Sequence, residues 1–224
     1  MINIAIDGPS GSGKSTVADI ISAKLDILHL DTGAMYRACG LKAKLSGITC
    51  DNQAAVSELI ENINLKIVYE NGVQRTFLDG ADVSREIRMN DISRWASDIS
   101  AIPCVREKMV KMQREVASEN PCVLDGRDIC LHVLPNAKYK FFMTATPEIR
   151  AERRVKELLE RGQNADYDVI LREINQRDYN DSHREFSPLV QAPDAVLIDT
   201  TYLTREQAAE VIEKAVLAGE KNEK

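Results

Sequence analysis

The hydrophobic pattern opens with a β-prone run, Ile2–Ile6, that stops at Asp7 before a glycine-rich turn. From Lys14 to Leu25 the apolar positions Val17, Ile20, Ile21 and Leu25 recur at helical spacing, so the first segment predicts strand, loop, helix. His29–Leu30 predicts the end of a short second strand, closed by Asp31-Thr32-Gly33. A helix follows over Ala34–Leu45 with Gly47 as its stop, and another runs from a cap at Asp51 to about Asn62. The period then changes. Leu65–Tyr69 and Gln74–Leu78 flank Glu70-Asn71-Gly72-Val73, and Asn-Gly between two β-prone runs predicts an antiparallel hairpin, here an inserted subdomain.

Helical spacing returns over Asn90–Ser100, and Pro103 starts a helix to about Glu119 that Asn120-Pro121 breaks. Cys122–Leu124 predicts a short buried strand running into Asp125-Gly126-Arg127-Asp128, and Tyr139–Met143 another strand. Pro147 starts a basic helix to about Arg161, before a polar loop over Gly162–Asp166. Tyr167–Arg184 has a helical pattern, Ala195–Ile198 is the last predicted strand, and Thr204 with Gln207 forms a capping box for a C-terminal helix. Gly219–Lys224 is expected to fray. Short strands alternating with helices predict an α/β fold whose parallel sheet is covered on both faces. The polar motifs all fall at strand ends, where such sheets bind ligands.

Composition narrows the classes. The chain has 224 residues, no apolar run long enough to cross a bilayer, and no basic flank before its first apolar stretch. A net charge of −6 argues against a nucleic-acid binder. Five cysteines without a C-x-x-C pair suggest neither a disulfide framework nor a zinc site, and fit a reducing cytoplasm. The three histidines, His29, His132 and His183, stand in no ligand motif.

The chemistry starts at Gly8-Pro9-Ser10-Gly11-Ser12-Gly13-Lys14-Ser15, a full match to G-x-x-x-x-G-K-[ST] between a predicted strand and a predicted helix. Such a loop curls its backbone N–H groups around phosphate oxygens at a helix N-terminus. Lys14 then reaches the β- and γ-phosphates, and Ser15 can ligate Mg²⁺. A GTPase would need N-K-x-D, which is absent, and no apolar strand closes in a D-E pair. Arginines instead recur beyond the loop, and their planar fork suits phosphate. In Asp31–Arg37, Thr32 or the backbone could bind a phosphate oxygen and Arg37 could clamp it, or the segment is a helix cap with a surface arginine. Asp125 ends a strand as a metal-water ligand would, with Arg127 and Asp128 beyond it, or Asp-Gly simply builds a turn. Arg177, Asp181 and Arg184 share one helical face, as do Arg150 and Arg154, unless both are solvated charge rows.

Taken together, GPSGSGKST, DTGAMYR, the hairpin, DGRD, RAERR and RDYNDSHR before SPLVQAPDA resemble bacterial-type cytidylate kinases from about Ile2 to Val216. The resemblance implies a P-loop NTPase fold with a central five-stranded parallel sheet. It implies a core of 1–32, 91–149 and 167–224, a monophosphate-binding domain at 33–90 and a lid at 150–166. It further implies a monomer that uses ATP and Mg²⁺ to phosphorylate CMP and dCMP. On that pattern Gly8–Thr16 (Gly8, Pro9, Ser10, Gly11, Ser12, Gly13, Lys14, Ser15, Thr16) hold ATP, with Arg150 and Arg154 on the lid side. Arg37 holds the CMP phosphate with Thr32 nearby; Ser97, Arg106 and Asp128 read the cytosine; Arg177 and Asp181 hold the sugar, Arg184 lies close to the base or phosphate, and Asp31 and Arg127 complete the CMP-binding set. Lys14, Arg127 and Arg154 are the expected catalytic charges, and Ser15 and Asp125 the expected metal side, Asp125 through water. Two positions depart from the family's G-R-D-[IM]-G-T, which here ends Cys130-Leu131. A kinase for UMP or AMP, a non-catalytic nucleotide switch and a nucleic-acid 5′-end kinase are the alternatives.

Overall fold

The computed structural model describes residues 1–70 and 72–221. In chain order the first part comprises β1 (Asn3–Asp7), α1 (Lys14–Leu25), β2 (Leu28–Asp31), α2 (Thr32–Leu45), α3 (Gln53–Glu61), β3 (Leu65–Glu70), β4 (Val73–Leu78) and β5 (Ala81–Asp82). After a 3₁₀ turn at Glu86–Arg88 come α4 (Asn90–Ile99), α5 (Pro103–Glu119) and β6 (Cys122–Gly126). A single wide turn, Ile129–Val133, leads to β7 (Tyr139–Thr144), α6 (Pro147–Glu160), α7 (Tyr167–His183), β8 (Val196–Asp199) and α8 (Arg205–Lys221).

Among the described residues, five parallel strands lie in the order β2-β6-β1-β7-β8. Alternation along each strand divides the core. Ile4 and Ile6 of β1, Val123 of β6 and Phe141 of β7 pack on Val17 and Ile21 of α1 and Ala209 and Ile212 of α8. Ala5, Leu30, Cys122 and Leu124 face the other way, onto Met35 and Cys39 of α2 and Val105 and Met109 of α5. Burial on both faces explains why these strands read as apolar runs rather than alternating ones. β1 lies at the centre with β6 beside it, so the loops after both strands meet at the C-terminal edge.

The insert is a three-stranded antiparallel sheet, β3-β4-β5, one short strand more than the predicted hairpin. Glu70 pairs with Val73 on either side of its turn, whose Asn71 lies outside the described residues. Leu65, Leu78, Val83 and Ile87 bury with the α2 side of the core, so the insert has no separate core. Gln74 ties it to the strand ends: its Oε1 accepts from the Asp31 N–H (2.8 Å) and its Nε2 donates to the Asp31 carbonyl (3.3 Å).

Local details correct the sequence expectations in two places. Asn52, not Asp51, caps α3, its side chain accepting from the Ala55 N–H at 3.2 Å. The expected frayed end is helical as far as Lys221, with 222–224 outside the described residues. Tyr139 anchors it, donating to Glu220 at 2.6 Å. The Thr204–Gln207 capping box forms reciprocally, at 2.9 and 3.2 Å.

Candidate active site

The loop between β1 and α1 closes over the sheet edge at Gly8, whose φ is 147°. A Cβ there would stand 1.9 Å from the Met143 carbonyl oxygen, so only glycine fits. Lys14 opens α1 and is 5% exposed. Its Nζ donates back to the Pro9 carbonyl (2.7 Å) and approaches Ser12 Oγ at 3.4 Å. Burial, reinforced by the nearby Arg127 guanidinium, pushes the ammonium down to about 7. An incoming phosphate would restore the charged form.

Parallel register brings acidic residues into a row at this edge. Asp7 stands level with Gly126, and Asp31 level with Asp125. Asp125 is 4% exposed. Its Oδ2 accepts from Ser15 Oγ at 2.8 Å, and its Oδ1 meets His29 Nε2 at 2.8 Å. The other ring nitrogen of His29 meets Asp19 Oδ1 at 2.7 Å. Burial opposes the charge on His29, but its two carboxylate partners outweigh burial and push it up to about 10. Burial opposes the charge on Asp125 too, but His29, Lys14 and the Ser15 hydroxyl outweigh it and hold Asp125 below the usual carboxylate range.

Asp7 faces the opposite side of the sheet. Its two oxygens accept from the Ile129 and Cys130 N–H groups, each at 2.8 Å, and so moor the wide turn that follows Asp128. Burial pushes the Asp7 carboxyl up to about 6 despite these bonds. Cys130 is buried, its Sγ 3.7 Å from the Ala5 and Phe141 carbonyls, so this departure from the family pattern points under the turn. Gly126 is a close-approach glycine, since a Cβ would stand 2.7 Å from Ile129 and 2.8 Å from Thr32 Oγ1.

Two charged sets lie beyond the loop. Arg106 and Asp128 form an ion pair with side chains only 1% and 4% exposed. Arg106 also donates to the Ser100 carbonyl at 3.1 Å, and its guanidinium lies 5.3 Å from the centre of the Tyr36 ring. Ser97, expected beside them, is half-buried on α4, and its carbonyl accepts from Ser100 Oγ at 2.9 Å. The second set surrounds Asp181, which accepts from Arg127 Nε at 2.9 Å and has Arg177 and Arg184 each at 4.0 Å. Burial and the neighbouring Arg127 push Arg177 down to about 10. Arg37 Nε, Arg177 Nε and Arg184 Nη2 are buried without a hydrogen-bond partner among the described residues. Buried guanidinium N–H groups of this kind are the donors a phosphate accepts from.

Four of the expected site residues have partners within the protein. Arg150, expected on the lid side, is 2% exposed near the start of α6 and packs against the P-loop. Its guanidinium donates to the Ser10 carbonyl (3.1 Å), the Ala145 carbonyl (2.9 Å) and the Asp178 carboxylate, joining the loop to α7. Thr32 turns inward, donating to the Asp125 carbonyl at 2.7 Å. Asp31 caps α2 through the Ala34 N–H (2.9 Å) and pairs with Arg37 (2.8 Å), so it orients the arginine. Arg154 pairs with Glu157 at 2.8 Å on α6. Sequence reading missed Tyr36, Ser100, Asp7 and His29 as parts of this edge. The available signal for the last two is a polar side chain within or closing an apolar strand.

The donor set suits Mg²⁺. Ser15 and Asp125 offer hard oxygen atoms at the loop mouth, and Mg²⁺ takes one or two protein oxygens together with phosphates and water. Among the described residues no group of three or more His, Cys, Asp or Glu side chains could hold a metal by itself. A separate cleft of about 550 Å³, lined by Asn3, Arg114, Asn136 and Tyr139, lies at the far end of the strands, away from these groups. Among the described residues no helix is long and apolar enough to cross a membrane.

The family model for cytidylate kinase matches residues 4–218. The cytidylate kinase of Caldicellulosiruptor bescii is 46% identical over 222 residues, covering 99% of this chain and 98% of the relative. That of Caldicellulosiruptor saccharolyticus is 48% identical over 211 residues, with 94% and 93% covered. That of Clostridioides difficile is 44% identical over 209 residues, with 93% and 95% covered. Among solved structures, an uncharacterized protein from Eubacterium ventriosum superposes with a TM-score of 0.54 at 14% identity, covering 97% of this chain and 98% of that one. At that identity the likeness speaks for the fold alone.

Proposed function

The chain belongs to the cytidylate kinase family and is a nucleoside monophosphate kinase; from that premise we propose that it transfers the γ-phosphoryl group of ATP to CMP and dCMP. One observation carries the proposal. A P-loop and a second set of buried guanidinium donors share one sheet edge, with the Arg106–Asp128 pair beside them. A nucleotide switch needs only the first of these, whereas joining two phosphates needs both.

The backbone of Gly8–Thr16 and the Lys14 ammonium hold the ATP phosphates. Arg37, Arg127, Arg177 and Arg184 receive the acceptor phosphate; Asp31 orients Arg37, and Asp181 keeps the other three forks aligned. Ser15 would hold the metal directly and Asp125 through water, and Mg²⁺ would supply charge neutralisation at the transferred phosphoryl. The acceptor is already an anion, so no general base is required. Alignment and charge do the chemistry, with Lys14, Arg127 and Arg154 balancing charge on the group in flight. Closure of 33–90 and of the lid at 150–166 excludes water, which would otherwise hydrolyse ATP. Arg154 serves that closure, while Arg150 holds the shape of the loop through Ser10.

Base choice follows from Asp128 and Arg106. A carboxylate accepts from the cytosine N4 amino group, and a guanidinium donates to N3 or O2. Uracil presents O4 to the carboxylate instead, a mismatch worth roughly 1–3 kcal/mol. The remainder of the reading is a monomeric cytoplasmic enzyme of pyrimidine nucleotide metabolism, in keeping with free thiols at all five cysteines among the described residues. The test is ADP formation from ATP and Mg²⁺ with CMP, dCMP, UMP, AMP and GMP offered separately. Turnover with CMP and dCMP well above UMP supports the proposal; preferred turnover of UMP or AMP, or none with any of the five, overturns it.

A further inference from the structure

We propose that His29 is a positioning residue for the metal side of the site, aligning the Asp125 carboxylate through an Asp19–His29–Asp125 chain. The inference rests on the reading that Ser15 and Asp125 serve Mg²⁺.

Register puts the chain in place. His29 pairs with Val123, and Val123 belongs to the face covered by α1. Asp125, two residues on, faces the same way. Ser15 and Asp19 are one turn apart on α1, so both look onto that face. His29, 8% exposed between Leu28 and Leu30, fills the gap between the turns. Its Nδ1 lies 2.7 Å from Asp19 and its Nε2 2.8 Å from Asp125.

The two ring nitrogens each stand within hydrogen-bond distance of a carboxylate oxygen, so the ring bridges the two carboxylates. Asp125 is thereby held at both oxygens, Oδ1 by His29 and Oδ2 by Ser15 at 2.8 Å. Without His29 the carboxylate keeps one anchor and can swing about it. Lys14 and Asp31 are the other charges that act on this pair. Asp19, whose side chain is 71% exposed, closes the chain at the surface and fixes the ring plane. A pair of groups behind a metal-facing carboxylate commonly alters metal affinity by about 10–100-fold.

The experiment measures Mn²⁺ affinity by electron paramagnetic resonance, in the full-length enzyme saturated with a non-hydrolysable ATP analogue. Melting curves check the fold of each variant. His29→Leu is expected to weaken Mn²⁺ binding about tenfold, with the affinity for metal-free analogue unchanged. His29→Gln, whose amide can still donate to Asp125, is expected to recover part of the loss. Asp125→Asn is the reference variant. If it weakens Mn²⁺ binding while His29→Leu does not, the inference is overturned and the metal reading stands. If Asp125→Asn itself binds Mn²⁺ like wild type, the metal reading falls and takes the inference with it. Should His29→Leu fail to fold, Asp19→Ala decides, weaker Mn²⁺ binding supporting the chain and unchanged binding overturning it.

Discussion

Asp128→Asn exchanges one oxygen of a buried carboxylate for an amide nitrogen and keeps its volume. The side chain is 4% exposed, and its partner Arg106 is 1% exposed. Losing the negative charge leaves a desolvated guanidinium with the Ser100 carbonyl at 3.1 Å, the Tyr36 face at 5.3 Å and a neutral amide oxygen. Breaking a buried pair costs about 3–5 kcal/mol, and the remaining partners put this variant near the lower end. For a chain of this size that is a melting temperature lower by roughly 6–12 °C. The catalytic effect has its own signature. The amide nitrogen now faces the base and donates where the carboxylate accepted, which disfavours the cytosine amino group and favours uracil O4. The ratio of kcat/KM for CMP to that for UMP should fall roughly 5- to 150-fold, the equivalent of 1–3 kcal/mol. Steady-state kinetics with both acceptors, beside calorimetric ATP binding, reads both effects. An unchanged ratio, or equal losses for CMP and ATP, would refute the base-reading argument.

Three further outcomes are expected. The Asp7 carboxyl sits near 6 in the fold against 3.8 in the unfolded chain, so the folded state binds the extra proton between those values. Its contribution is therefore most favourable below 3.8 and falls as pH rises through 6. The stability of Asp7→Asn relative to wild type should gain about 2 kcal/mol between pH 4 and pH 7, and a flat difference in denaturant titrations would count against this. Native-state alkylation at pH 8 should reach only the half-buried Cys50 and Cys104, because Cys39, Cys122 and Cys130 are buried and burial pushes their thiols up; mass spectrometry finding early label on Cys130 would contradict the placement. Gly8→Ala forces a Cβ to within 1.9 Å of the Met143 carbonyl. It should cost at least about 3 kcal/mol and abolish ATP binding, and a melting temperature like wild type would show that the loop can move aside.

Local periodicity and motif order determined much of this protein. Apolar runs such as Ile2–Ile6 and Cys122–Leu124 are strands because both faces are buried, and Asn-Gly marks the insert because few residues accept its turn. The P-loop is legible because its chemistry is contiguous, with glycine, lysine and serine all within eight residues. Partners distant along the chain are another matter. Ser15 meets Asp125 across 110 positions, and Arg127 meets Asp181 across 54. Nothing in either segment's own pattern names the other; parallel register and helix docking do. The same holds for Arg150, which reads as one of a basic row on α6 and turns out to bind Ser10 and Asp178. It holds for His29, which is one polar residue in a short apolar strand until β2 lies beside β6 and α1 covers it. Sequence determined which groups are present and which element carries each. Only the tertiary structure decided which charges face one another, because that depends on strand order, and strand order is a property of the packed sheet rather than of any one segment.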